Sequence, residues 1–260
     1  MGCNESWGSA CFTPTPSNGS ECPMTQKCLV AQLSVLAPIA VQRVFGALLQ
    51  EFTLDRAVRV RTDFDMNRDI ARRLTAGEAV DIAMTLPDYV ADLIAAGLVH
   101  ADTHAPFGRV PLALARSGMP PAGMVNDETS VVAMLETAQS IAYADGSISG
   151  DLFLGALELL GLRDKLADRL RPMPTGEPLL SAAAGHSDLA VAPMSTVAAA
   201  AGVREWAAFP SHLGTDIEMS MVVTSQAKDV AQARKVIGYL GHPRNDWLLS
   251  DAGLMRFRLR

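Results

Sequence analysis

At 260 residues, 49% of them hydrophobic and 19% charged, the chain is long and apolar enough to bury a substantial core, which excludes a disordered or fibrous protein and fits one or two globular domains. A formal net charge of -6 argues against a generally basic nucleic-acid-binding surface. It leaves room for a local anion pocket, because capture of a small ligand depends on the local field.

The opening stretch, MGCNESWGSACFTPTPSNGSECPMTQ, is rich in Ser, Gly, Pro and Thr and has neither a basic start nor an apolar centre. It reads as a disordered leader over residues 1–27 and not as a secretory signal, with Met24 as a candidate natural start. All four cysteines, Cys3, Cys11, Cys22 and Cys28, sit at this end, and spacings of eight, eleven and six residues lack the short paired loops of a zinc site. They read as free thiols, and a fold built from the rest of the chain does not depend on disulfides. No run approaches the roughly 20 apolar residues of a membrane span. The expected location is the cytoplasm, or the periplasm if the leader is misassigned, and a transporter partner has no support without an export signal.

KCLVAQLSVLAP predicts a strand, and APIAVQRVFGALLQEF a helix with Val41, Val44, Phe45, Leu48, Leu49 and Phe52 on one stripe. In AVRVRTDF, Val58, Val60, Thr62 and Phe64 alternate with Arg59, Arg61 and Asp63, the period of a half-buried strand. A helix follows from about Arg68 to Gly77, then a strand at VDIAMTL and a helix at DYVADLIAAGLV, with Asp88 as its expected cap. This alternation predicts a parallel sheet with helices on its faces. Pro106, Gly108 and Pro111 are read as interrupting the pattern before VPLALAR resumes it. A helix at TSVVAMLETA, a strand at SIAYA, the loop DGSISG, a helix at DLFLGALELLGL and a strand at DLAVAP follow. TDIEMSMVVTS then gives a strand, AKDVAQARKVIGYLGHP an amphipathic helix and NDWLLSDAGLMRF a short last one.

Three strand-to-helix corners offer unpaired helix-start amides to an anion: LSVLAPIAV with Ala37 and Pro38, DFDMNRDIA with Asn67 and Arg68, and DGSISGDLF with Ser147, Ser149 and Gly150. An arginine can grip a carboxylate through two parallel hydrogen bonds. Arg68 could equally pair with Asp65 or Asp69 at the surface, and the third corner could be an ordinary cap made by Ser149 or Asp151. The histidines of HADTH lie in a loop without a third strong ligand, so no metal is expected. No nucleophile elbow, phosphate loop or dinucleotide fingerprint occurs, and no cofactor is expected.

Taken in order, LTAGEAVDIAMTLPDYVADLIAAGLV, SIAYADGSISGDLFLGALELLGL and FPSHLGTDIEMSMVV resemble the type II periplasmic solute-binding superfamily over residues 28–260, in particular its molybdate-binding proteins. The resemblance implies an α/β, two-lobed periplasmic-binding-protein-like fold, with residues 28–107 and 215–260 in one lobe, 108–214 in the other, and a ligand cleft between them. Where the molybdate binders carry a serine corner this chain has Asn67, and where they often place a tyrosine it has Pro193 or Met194. These departures point to a di- or tricarboxylate before a molybdate-type oxyanion. SIAYADGSISG and FPSHLG resemble more closely the aconitate-isomerase branch, which implies, as the alternative, an isomerase that shifts a double bond by allylic proton transfer. Tyr143, Asp65, His212 and Glu218 are the titratable candidates for that chemistry. The expected ligand-binding set is Ala37, Pro38, Asn67, Arg68, Ser147, Ser149, Gly150 and Met194, with a small anion as the partner and no nucleic acid.

Overall fold

The alternating and helical periods at the start of the chain become β1 (Ala31–Pro38), α1 (Gln42–Asp55), β2 (Val58–Asp65), α2 (Asn67–Thr75), β3 (Ile82–Thr85) and α3 (Pro87–Ala95). The computed structural model describes residues 31–55, 58–120 and 123–259, so the leader, Met24 and the four cysteines lie outside the described residues. β1 runs parallel to β2, from Ala31 opposite Val58 to Pro38 opposite Asp65, and parallel to β3 on its other side. β2 is therefore an edge strand. Its alternating burial leaves Arg59, Arg61 and Asp63 exposed, where charge discourages pairing with another chain.

After α3 comes β4 (Ala105–Arg116), followed by α4 (Glu128–Thr137), β5 (Ile141–Ala144), α5 (Ile148–Leu159), β6 (Leu170–Met173), α6 (Glu177–Ala183), β7 (Leu189–Pro193), α7 (Met194–Ala199), β8 (Arg204–Ala208), β9 (Asp216–Val223), α8 (Val230–Leu240) and α9 (Asp246–Asp251). The sheet order is β2-β1-β3-β9-β4-β7-β5-β6, with β8 also paired to β4. The expected parallel sheet is thus mixed, because β9 returns antiparallel between β3 and β4, and β4 is antiparallel to β7. β4 serves both halves: Ala105 to Pro111 pair with β9, and Leu112 to Ala115 with β7.

Pro106, Gly108 and Pro111 lie inside β4 and do not interrupt it. The register against β9 shifts between Pro106 and Gly108, the irregularity that lets a strand carry a residue without an amide donor. Arg109 meanwhile exchanges both backbone bonds with Met255, at 2.7 and 2.8 Å. α3 is also capped otherwise than expected. Leu86 is its N-cap with Pro87 in the first turn, leaving Asp88 as an acid near the helix start.

β1 is buried on both faces. Leu33, Val35 and Ala37 join a cluster containing Phe45, Phe52 and Phe107, whereas Leu36 joins Ile70, Leu74, Val90 and Leu93 under α2 and α3. Phe45 stands edge-on to Phe64 and Phe107, with centroids 6.3 and 6.0 Å apart.

Asp81, at the start of β3, fastens this half together. Its carboxylate accepts from the Ser34 amide and hydroxyl, both at 2.7 Å, and from the Lys228 amide at 2.8 Å. Burial alone would push its pKa up, but these bonds outweigh burial and hold it below the usual carboxylate range. A lowered folded-state pKa gives stability that is present above the unfolded value of about 3.9 and is lost as pH falls through the folded one. Asp81→Asn should cost about 2 kcal/mol at neutral pH, because a charge-assisted set becomes a neutral one with a misplaced donor. Urea unfolding across a pH series should also show the variant losing stability less steeply than the wild type in acid.

Candidate functional site

Strand register decides which loops meet. Pro38 lies opposite Asp65 and Leu36 opposite Ala83, so β1, β2 and β3 end side by side. In the other half Ala142 pairs with Ala190, which brings the ends of β5 and β7 together. Both sets of carboxyl ends face one cavity of about 330 Å³, lined among others by Pro38, Asp65, Asn67, Ala144, Ser149, Ala192 and Pro193. Ligands of open α/β sheets characteristically occupy this position.

Helices begin around the same cavity. Pro38 precedes a single 3-10 turn that runs into α1, Met66 precedes α2, Ser147 precedes α5, Gly176 precedes α6 and Pro193 precedes α7. Only Ser147 among these five caps its helix with its own side chain, accepting from the Gly150 amide at 3.1 Å. The first-turn amides of a helix have no acceptor within it and carry partial positive charge. Gly176 has φ of 92°, a left-handed conformation in which a side chain would be strained.

Asn67 is the most informative lining residue. It is 8% exposed, and the Thr85 hydroxyl lies 3.2 Å from its Oδ1 and 3.3 Å from its backbone oxygen. With the oxygen turned to Thr85, the Nδ2 amide hydrogens have no partner among the described residues and are what the side chain offers the cavity. Ser149 adds a second donor. The Ser147 hydroxyl donates to the Ala144 carbonyl at 2.8 Å and accepts from Gly150, so across the 3.0 Å gap Ser149 is the donor to Ser147. Rotation of that hydroxyl would turn its proton to a guest.

Among the described lining residues Asp65 is the one charged side chain. Its oxygens are occupied from behind: Oδ1 accepts from the Met66 amide and Oδ2 from Arg73, both at 2.8 Å. Arg73 also binds Asp63 at 2.8 Å and Glu78 at 2.6 Å, and its hydrogen bonds hold both of those carboxyls below the usual range.

Arg68 does not line the cavity. Its Nη1 donates to the Gly146 carbonyl at 2.7 Å, its Nη2 pairs with Asp151, and a hydrogen bond with Tyr89 together with Asp151 raises its pKa. It therefore ties the start of α2 to the β5–α5 turn. The sequence-local partners are taken by others, Asp65 by Arg73 and Asp69 by Arg72.

Of the expected ligand set, Pro38, Asn67 and Ser149 line the cavity, whereas Ala37, Ser147, Gly150 and Met194 stand behind it. Ala37 is in the core. Gly150 is packed so closely on β5 that a Cβ there would lie 2.0 Å from the Ala144 carbonyl oxygen. Met194 lies against Gly253, while its neighbours Pro193 and Thr196 reach the cavity. The sequence reading missed Ile39, Thr175, Pro178, Leu179, Thr196 and Ile217. The run PTGEP before LL carries the turn and helix-start signals that could have found Thr175 and Pro178.

Three titratable candidates lie elsewhere. Tyr143 is buried with its ring 5.7 Å from Phe153, and His212 pairs with Glu128 at 2.6 Å on the surface. Glu218 faces away from Ile217, its lining neighbour, by the alternation of β9. In HADTH, Asp102 pairs with Arg234 and His104 Nε2 lies 2.8 Å from the Ser220 hydroxyl. Among the described residues no group of three His, Cys, Asp or Glu is arranged to hold a metal ion.

The family model described as bacterial extracellular solute-binding protein matches residues 33–254. No curated protein sequence matches the chain. Among solved structures, a substrate-binding domain assigned to a molybdenum ABC transporter of Clostridium difficile superposes with a TM-score of 0.75 at 17% identity, over 88% of this chain and all (100%) of that one. The periplasmic molybdate-binding protein of Azotobacter vinelandii gives 0.70 at 17% identity, over 86% and 98%. The sulfate-binding protein SubI of Mycobacterium tuberculosis H37Rv gives 0.67 at 15% identity, over 86% of each chain. At such identities these likenesses show a shared fold.

Proposed function

The chain belongs to the bacterial extracellular solute-binding protein family, and from that premise we propose that its cavity binds a small anion reversibly, a carboxylate in preference to a tetrahedral oxyanion. The carrying observation is the unpartnered amide of Asn67, in the first turn of α2, where helix-start amides carry partial positive charge. Its planar pair of hydrogens suits a carboxylate oxygen. Since no cationic side chain is among the described lining residues, the site supports one negative charge better than two or three. This narrows the polycarboxylate expected from sequence towards a single carboxylate.

Calorimetric titration with monocarboxylates, cis-aconitate, molybdate and sulfate tests the reading. A monocarboxylate should bind most tightly. Tighter binding of molybdate than of every carboxylate would overturn the carboxylate preference, and heat from no anion would overturn the function. Among the described lining residues Asp65 is the one titratable group open to the isomerase alternative, so NMR of cis- or trans-aconitate incubated with the protein should show no conversion.

The family's description as extracellular, and the periplasmic origin of the Azotobacter relative, support a place outside the cytoplasm over the cytoplasmic one expected from the leader. In that setting the partner is a membrane transporter that receives the bound anion. No helix among the described residues is long and apolar enough to cross a membrane itself.

A further inference from the structure

Resting on the anion-binding reading, we propose that the natural guest is an amphiphilic organic anion: one charged head held by Asn67 and Ser149, and a hydrocarbon body covered by the rest of the lining. Space is the first argument. At about 30 Å³ for each water, a cavity of about 330 Å³ holds roughly ten waters, or a similar number of non-hydrogen ligand atoms, well beyond a tetrahedral oxyanion. The character of the wall is the second. Ile39, Leu179, Val191 and Ile217 line it, and Ile39 is 47% exposed, so apolar surface stands ready to be covered by a guest.

Charge gives the third argument. The donors that point to a ligand lie at one corner, because Arg68 ties the first turn of α2, which carries Asn67, to the turn that opens α5, which carries Ser149. Asn67 supplies a nine-tenths-buried side chain with an unpartnered NH2 group there. Asp65 is the one acid among the described lining residues, and its Oδ2 accepts from the Arg73 guanidinium, 2.8 Å away. The absence of a cationic side chain among the described lining residues disfavours a second carboxylate.

The test is calorimetry on the full chain with the straight alkanoates from acetate to hexanoate, with hexanamide, molybdate and sulfate alongside. Affinity should rise about fourfold with each added methylene, as expected for hydrocarbon leaving water, and hexanamide should bind at least about tenfold more weakly than hexanoate. Ile39→Asn, at a half-exposed position that tolerates a polar residue, should flatten the slope while the far-ultraviolet circular dichroism is unchanged. A flat series with acetate bound, or binding of molybdate or sulfate without any alkanoate, would overturn the hydrocarbon body and leave the anion reading standing. Equal binding of hexanamide and hexanoate would overturn the charged head, and no binding by any anion would overturn both.

Discussion

Asn67→Asp is expected to lower anion affinity by about 100-fold or more in a calorimetric titration, with the fold intact. The two side chains have nearly the same shape, and the Thr85 hydroxyl that lies 3.2 Å from Oδ1 can donate to a carboxylate oxygen as well. What changes is the other arm. An unpartnered NH2 donor becomes an acceptor carrying negative charge, so a charge-assisted hydrogen bond of about 1.5–3 kcal/mol is lost and a like-charge contact is added. At about 1.4 kcal/mol for each factor of ten, the sum passes 100-fold. Stability should move little, because an acid in the first turn of α2 interacts favourably with the helix dipole by about 0.3–1 kcal/mol. Asn67→Ala, which removes the donor without adding charge, should fall between variant and wild type. Unchanged affinity in the aspartate variant would remove Asn67 from the site.

Gly150→Ala should cost about 3 kcal/mol in urea unfolding and weaken binding as well. The added methyl carbon would lie 2.0 Å from the Ala144 oxygen and 3.1 Å from its carbonyl carbon, and both atoms are backbone. Neither can swing aside, so the first turn of α5 must lift from the end of β5, at the upper end of ordinary overpacking costs of about 1–3 kcal/mol. That movement stretches the Ser147 cap and shifts Ser149 away from the guest. Gly155, in the same helix, is the control, because a Cβ there meets nothing within 4 Å. Gly155→Ala should stabilise the protein by about 0.5–1 kcal/mol, the ordinary gain for alanine over glycine in a helix.

The two glycines show where reading a sequence stops. DGSISG announces a glycine that permits a close approach, and the approach exists, but it is made by the Ala144 carbonyl and not by a guest. Which of the two it is depends on how the helix docks, and docking is a long-range property. Arg68 makes the same point. Its visible partners were Asp65 and Asp69, while the actual ones, Gly146 and Asp151, lie 78 and 83 residues along the chain. In the run from β1 to α3, β2 and the helices were legible from their periods, and the four-residue β3 from an apolar run between turn signals. β6, α6, α7 and β8, at four to seven residues, are too short to display a period. The reversal of β9 carries no local mark, since one alternating strand reads alike in either direction. That Pro38, Asn67 and Ser149 stand at strand-to-helix corners was legible because helix-start chemistry is local, and all three line the cavity. The apolar wall was not, because Leu179 or Ile217 reads as core until the empty space beside it is known.

The bonds from Arg68 to Gly146 and Asp151 join α2, beside β1 and β3, to the turn after β5 in the other half of the sheet. About half of each charged side chain, 49% for Arg68 and 54% for Asp151, is in contact with solvent. An ion pair so wet is a weak fastening, and dissolved salt weakens it further. The link between the two halves should therefore loosen as ionic strength rises, and stopped-flow measurements should show anion association and release both quickening with added salt.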